Sequence, residues 1–575
     1  MWWMGLGAMV LLAIACLWSA RVNFATMKAY VDAQAPDGSV ESFDRFLHGR
    51  ITRNLRWLGA LLAVLASGMG LMTRRMFSAT EARAGQWTEF NVDLREGWGE
   101  LVKRTSRSHV RWVLFVIFVG TVFRISQMRL GIIYDEAFTF TYYATQPLHF
   151  ILSNYSYPNN HILHTVLVKL STGIFGVHLW SLRLPALLAG IAVMPLFYVF
   201  VRAMFNRYIG LMAMALVAAS GALIEYSALA RGYSLTWLFM ICAMLAGRYF
   251  AKSNNIVGAL LVAVFNTLGM WAVPTMIYAS IACYIWLMLY LMTNYDTSLR
   301  RRLVRLAISL VTFILLTAAV YTPVVIVHSL DHLLHHPTMG ENTWESFVTS
   351  HQDKAFELWA YFNDTSLTLI SLLGFAGMIY AAYVSGKYRI MFIALVLGAV
   401  PFTIIQSMVG PPRIWTYVLF NLHLSSAIAL FYALKFIEEK VYPGFSKRFR
   451  TMLASVVILA GMGWLGISGA KDRIVREDDA RSAADWFHGI LRPNDRVLTQ
   501  FPNEAALEFH LMAQGNDRSS VHVGPGPSGR LFALVGPADG QTLESVLKHN
   551  GMERLDTTTF AKVKDWKRLE IFAAR

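Results

Sequence analysis

Residues 182–225 read LRLPALLAGIAVMPLFYVFVRAMFNRYIGLMAMALVAASGALIE, two apolar runs separated by the basic turn RAMFNR. A helix needs about 20 residues to cross a hydrocarbon core, and each run comes close to that length with its charges at the ends. The pattern is that of two membrane helices joined by a short connection. Arg202 and Arg207 place that connection on the cytoplasmic side, because Lys and Arg are enriched in cytoplasmic loops.

The same pattern extends in both directions. Of the 575 residues 55% are hydrophobic and 15% charged, well below the roughly 25% charge of soluble domains. A net charge of +15 would suit a nucleic-acid partner in a soluble chain. Here Lys and Arg sit in short runs between apolar stretches and read as topology signals, so no nucleic-acid partner is expected. Cys16, Cys242 and Cys283 lie inside apolar runs without metal-ligand spacing, so neither disulfides nor a thiolate metal site is expected.

Apolar runs predict spans at 2–19, 57–73, 110–129, 182–201, 208–225, 233–250, 256–273, 275–293, 303–328, 366–385, 389–409, 414–436 and 451–469, about 13 in all. The fold class is thus an all-α polytopic membrane protein. The first run lacks a basic leader and reads as a retained span with a cytoplasmic N-terminus. Alternation keeps the basic loops inside if residues 161–178, interrupted by Lys169, lie in the interface. The exception is 21–56, assigned outside although it carries Arg21, Lys28, Arg45, Arg50, Arg53 and Arg56. Residues 471–575 change to a charged, Gly/Pro-containing composition with strand-like runs at 496–499, 521–523 and 531–535, which predicts a small extracytoplasmic α/β domain. The expected division is 1–104 as an added two-span region with a basic cytoplasmic segment, 105–470 as the transmembrane core and 471–575 as the outer domain.

Polar groups able to carry chemistry gather on the outer face. Asp135 and Glu136 leave the third span among Tyr134, Phe138, Phe140, Tyr142 and Tyr143, either as a catalytic carboxylate pair or as a solvated helix end in an aromatic belt. In YSYPNNHILH, Asn159, Asn160 and His161 offer donors and acceptors. His161 with Asp135 could hold a divalent cation, Mg or Mn; the alternative is that His161 and His164 line the polar side of a helix. Glu225, Tyr226, Arg231 and Tyr233 share a tight outward turn, where Glu225 and Arg231 could form a structural pair or contact substrate. In GPPRIWTY, Pro411 and Pro412 fix Arg413 at the mouth of a span, as a phosphate ligand or as a snorkelling anchor.

This ordered series resembles the GT-C class of membrane glycosyltransferases, in the bacterial branch similar to protein O-mannosyltransferases and aminoarabinose transferases (glycosyltransferase family 39-like). The resemblance runs from YDEAFT through PNNHILHTVLVKLSTGIFG and the Arg-Leu-Pro span to FNR, ALARGY and finally GPPRIWTY, over roughly residues 105–440. Many relatives carry His-Pro-Pro where this chain has Pro158-Asn159-Asn160-His161, and the first hundred residues are an addition to the usual core.

The resemblance implies a polyprenyl-phosphate-linked sugar as donor and a glycan, lipid or protein acceptor on the periplasmic face of a bacterial inner membrane. It implies inverting transfer with Asp135 as general base and Glu136 beside it. Arg413 and Arg231 would bind the donor phosphate, and Asn159, Asn160, His161, Glu225, Tyr226 and Tyr233 the substrates. The rival readings are a flippase for lipid-linked sugars and an inactive lipid-binding scaffold.

Overall fold

The computed structural model describes residues 2–33, 43–71, 73–103, 106–295, 298–330, 333, 343–364, 368–440, 446–474, 479–492, 494–515 and 529–574. Among these, eight helices are long and apolar enough to cross a membrane: Arg107–Gln127, Leu179–Met204, Tyr233–Ser253, Pro274–Asn294, Leu299–Val327, Gly386–Ile405, Val418–Lys440 and Lys447–Ser468. Two bent pairs, Met9–Ser19 with Phe24–Asp32 and Arg207–Ala219 with Gly221–Ala228, raise that number to ten if each is one span. The remaining expected spans fall in the helices Arg45–Leu71, Ile256–Ala272 and Thr368–Val384. The chain is a multi-pass membrane protein, and the segment expected in the interface forms the short helix Ile162–Phe175.

The bend between Arg207–Ala219 and Gly221–Ala228 is 59° and falls at Ser220, whose backbone is extended. Breaking a helix inside a bilayer strands carbonyls that no water can satisfy. Arg124, fully buried, donates to the Val217 and Ala218 carbonyls at 3.3 and 3.1 Å, to Gly120 O at 2.9 Å and to Ser227 Oγ at 3.2 Å. Small residues let neighbouring helices close on the break. A Cβ on Gly190 would lie 2.1 Å from Ser227 Oγ, and one on Gly466 2.8 Å from Gly221 Cα. The bent piece therefore points its end at the 229–232 turn.

The residues before 104 are fastened at two places on the bundle. Arg50 donates to the Val327 and His328 carbonyls at 3.2 and 3.1 Å, capping the end of Leu299–Val327. This gives one of the basic residues of 21–56 a structural task. The long helix Thr73–Lys103 holds the other end: Gln86 Oε1 accepts from Ile256 N at 2.9 Å, and Tyr249 donates to Asp93 at 2.8 Å.

The C-terminal region forms a four-stranded sheet, β1 Arg496–Leu498, β2 Leu531–Val535, β3 Phe560–Asp565 and β4 Glu570–Ala574, in the order β1-β2-β4-β3. The first pair is parallel and the others antiparallel. Phe487, Val497, Leu507, Phe532, Leu534 and Ile571 make its core. The expected strand at 521–523 lies outside the described residues. This domain packs on the membrane core through Ala505 and Phe509 against Ile132, Ala137 and Phe140.

Candidate active site

The YDEAF turn is a five-residue helix, Tyr134–Phe138, continued by a π-helical turn Thr139–Ala144, a geometry frequent at functional sites. Its two carboxylates point to different partners. Glu136 is fully buried and accepts from Arg183 Nε and Nη2 at 2.9 and 2.7 Å, from Ile133 N at 3.2 Å and from Ala230 N at 2.5 Å. Arg183, also fully buried, gives its other donors to the Met128, Leu130 and Gly131 carbonyls at 3.3, 2.8 and 3.0 Å. With both oxygens engaged, Glu136 ties the turn to the Leu179–Met204 helix and to the 229–231 backbone.

Asp135 keeps 28% of its side chain exposed. Its Oδ2 lies 3.7 Å from Arg231 Nη2 and 3.9 Å from Arg413 Nη1, and its Oδ1 accepts from Asn159 Nδ2 at 3.3 Å. The two cations differ. Arg231, 3% exposed, also donates to Asp135 O, Thr139 Oγ1 and Asn159 Oδ1 at 3.4, 3.3 and 3.5 Å, so its fork is held by protein. Arg413 is 43% exposed and stands at the mouth on the 3-10 turn Pro412–Trp415, behind Pro411. The Tyr233 phenol lies beside it.

His161 Nδ1 accepts from Gly232 N at 2.9 Å, and the ring packs edge-on to Tyr233 at 5.3 Å. Gly232 is required for that approach, since a Cβ there would stand 2.8 Å from Ala272 O. Burial, then the nearby Arg231 charge, holds the His161 pKa well below the usual range. Gly232 N–H engages Nδ1 and the Arg231 Nη2 donor stands 3.5 Å from Nε2, so neither nitrogen of the ring is open to a metal. Guanidinium groups surround Asp135, and among the described residues no group of three or more His, Cys, Asp or Glu converges. The expected divalent cation at Asp135 and His161 does not fit these residues.

Asn160 is buried and donates to the Ile151 and Asn154 carbonyls at 2.9 and 2.8 Å, shaping the loop behind the site. Tyr226 stacks edge-on to Tyr233 at 5.0 Å, and Glu225 is buried beside Tyr226. The structure thus brings Asp135, Asn159, His161, Arg231, Tyr233 and Arg413 together, places Tyr226 and Glu225 at one edge, and leaves Asn160 behind. It adds Arg183 and Thr139. An Arg inside the apolar run LRLPALL demands a buried partner, which is the signal that could have found Arg183.

Residues 159–321 match the family described as dolichyl-phosphate-mannose-protein mannosyltransferase. The architecture is similar to that of ArnT from Cupriavidus metallidurans in the apo state, at a TM-score of 0.53 and 12% identity over 81% of this chain and 98% of that one. The same protein bound to undecaprenyl phosphate matches at a TM-score of 0.52 and 13% identity, with the same coverage. No curated protein matches in sequence. The GT-C fold that the ordered motifs resemble is the fold of this chain.

Proposed function

On the premise of that GT-C fold, we propose that the protein is an inverting glycosyltransferase that moves a sugar from a polyprenyl-phosphate carrier to an acceptor hydroxyl on the outer face of a bacterial inner membrane. The observation that carries this reading is the partly exposed Asp135 carboxylate flanked by Arg231 and Arg413. The N-terminus and the Thr73–Lys103 helix lie on the cytoplasmic side in this reading, and the C-terminal domain lies outside.

Asp135 accepts the proton of the acceptor hydroxyl as that oxygen attacks the anomeric carbon from the side opposite the phosphate. A positioned base contributes typically about 100- to 10,000-fold. Phosphate leaves as an anion and needs no protonating acid, unlike the leaving group in the two-carboxylate glycosidase scheme. That suits a site in which Glu136 is committed to Arg183. Arg413 offers its exposed fork to the departing phosphate, while Arg231 and Asn159 hold Asp135. His161, Tyr226, Tyr233 and Glu225 form the wall against which the sugar lies. The relative carrying undecaprenyl phosphate on the same fold supports a lipid-phosphate donor.

The test is reconstitution of the purified chain in nanodiscs with radiolabelled polyprenyl-phosphate sugars and envelope extract. Label passing from lipid to an extract component is the expected result. Lipid-linked sugar that crosses proteoliposome membranes without ever losing its label to an acceptor would overturn it in favour of a flippase.

A further inference from the structure

We propose that the end of the bundle opposite Asp135 holds a binding site for the phosphate of an anionic phospholipid, in the leaflet away from the candidate active site. The helix Arg107–Gln127 starts at this end and finishes a few residues before the YDEAF turn, so its 21 residues put about 30 Å between the two sites. The proposal concerns lipid binding alone and stands apart from the transfer reaction.

Three connections that are far apart in sequence bring cations to one place. Tyr208, at the start of Arg207–Ala219, has Arg207 Cζ 4.9 Å and Lys447 Nζ 5.7 Å from its ring centroid, and its hydroxyl accepts from Arg207 Nη2 at 3.0 Å. Arg202 and Arg448 stand near His109, whose ring meets Tyr208 edge-on at 5.9 Å. From the third connection, Lys387 donates to Met204 O at 3.0 Å, which uses one of its three donors. Among the described residues no carboxylate lies within 4.0 Å of Arg207, Lys447 or Arg448; Glu438, on the neighbouring helix Val418–Lys440, is paired with Arg450. The helices Arg107–Gln127, Arg207–Ala219 and Lys447–Ile474 all start here, and the partial positive charge of each N-terminus adds to the same field. Cations gathered without an acid repel one another, and an anion among them relieves that repulsion.

The surface next to the cluster selects a lipid over a soluble anion. Arg107–Gln127 and Lys447–Ile474 pack side by side, and past their first turn both present apolar side chains outward. Val110 and Leu114 are 37% and 59% exposed on the first helix, and Leu453 and Val457 are 52% and 62% exposed on the second. A cationic cluster at the head of two lipid-facing helices matches a phospholipid in both parts. Its phosphate lies on the guanidinium forks and its chains run along the two apolar faces. A soluble phosphate would use the cations and leave the apolar faces without a role.

The test is native mass spectrometry of the full chain, stripped of lipid in dodecyl maltoside and titrated with dioleoylphosphatidylglycerol, dioleoylphosphatidylcholine or inorganic phosphate. Wild type should retain one phosphatidylglycerol with an affinity at least about tenfold above that for phosphatidylcholine. That preference should vanish in Arg207→Gln/Arg448→Gln and persist in Arg207→Lys/Arg448→Lys, which keeps the charge. It should be unchanged in Arg300→Gln/Arg301→Gln, which removes equal charge from the start of Leu299–Val327. Lys447→Gln, at an exposed side chain, should weaken it roughly threefold and supplies the readout if the glutamine pair does not fold. Equal affinity for the two lipids in wild type would overturn the site. So would a preference that survives the glutamine substitutions at 207, 448 and 447, or one that falls equally in the 300 and 301 variant. Inorganic phosphate that displaces phosphatidylglycerol at equal concentration would mark a soluble-anion site and overturn the lipid assignment.

Discussion

Asp135 and Glu136 are neighbours in sequence and meet different cations. Glu136 and Arg183 neutralise one another in full burial, so Glu136→Gln leaves a guanidinium uncompensated. Breaking such a pair costs about 3–5 kcal/mol, and a large fall in thermal midpoint is expected, with activity lost through misplacement of Asp135. Arg413→Ala acts differently. Its side chain is on the surface of the site, so stability should hold while the donor KM rises roughly 10- to 100-fold, the worth of a hydrogen bond between charged groups. Unchanged donor KM in Arg413→Ala would remove it from phosphate binding. The sequence made Asp135 and Arg413 visible because a charge at a span mouth beside aromatics or a double proline is conspicuous. It could not separate the roles of Arg231 and Arg413, since burial decides them and neither spacing nor residue type encodes burial.

Among the elements, eight of the spans were legible because length and hydropathy suffice to define them. The break at Ser220 was not: residues 208–225 read as one continuous run, and the Arg124 that satisfies the broken turn lies in another helix. Strands β3 and β4 escaped notice for a related reason. FAKVKD is a charged edge strand, most of it exposed, without a buried alternation to betray it. The short helix Ile162–Phe175 carries a pH dependence. His164, on this helix, is fully buried, and burial, then Arg231, lowers its pKa to about 3, while His161 at the helix start is also depressed. The unfolded chain, with imidazoles near 6.5, binds more protons than the folded one in acid, so stability is present above that pH and is lost as pH falls below it. Each His contributes up to about 1.4 kcal/mol per pH unit in that window. The thermal midpoint should be level from pH 8 to about 6.5 and fall below it, less steeply in His164→Phe. A midpoint that rises on acidification would contradict neutral buried rings.

At the scale of the molecule, the bundle carries its polar cluster at one end, beneath the C-terminal domain, with Thr73–Lys103 fastened by the 249–256 segment. Cysteines placed singly at 501 and 413 should react with a membrane-impermeant reagent from the periplasmic side, and one at 98 only after the membrane is opened. Labelling of 98 from outside would invert the topology. The multi-pass helical outline was readable from apolar runs, but the docking of the C-terminal domain on Phe140 and Tyr134 was not, because contacts across hundreds of residues leave no local pattern. The central claim is that Asp135 drives transfer from a lipid phosphate. Its most direct test is the rate at which radiolabelled sugar leaves polyprenyl phosphate in proteoliposomes of wild type and Asp135→Asn, with donor binding measured alongside. The account predicts equal donor binding and a rate lower by about 100- to 10,000-fold in the Asn variant; equal rates in the two proteins would contradict it.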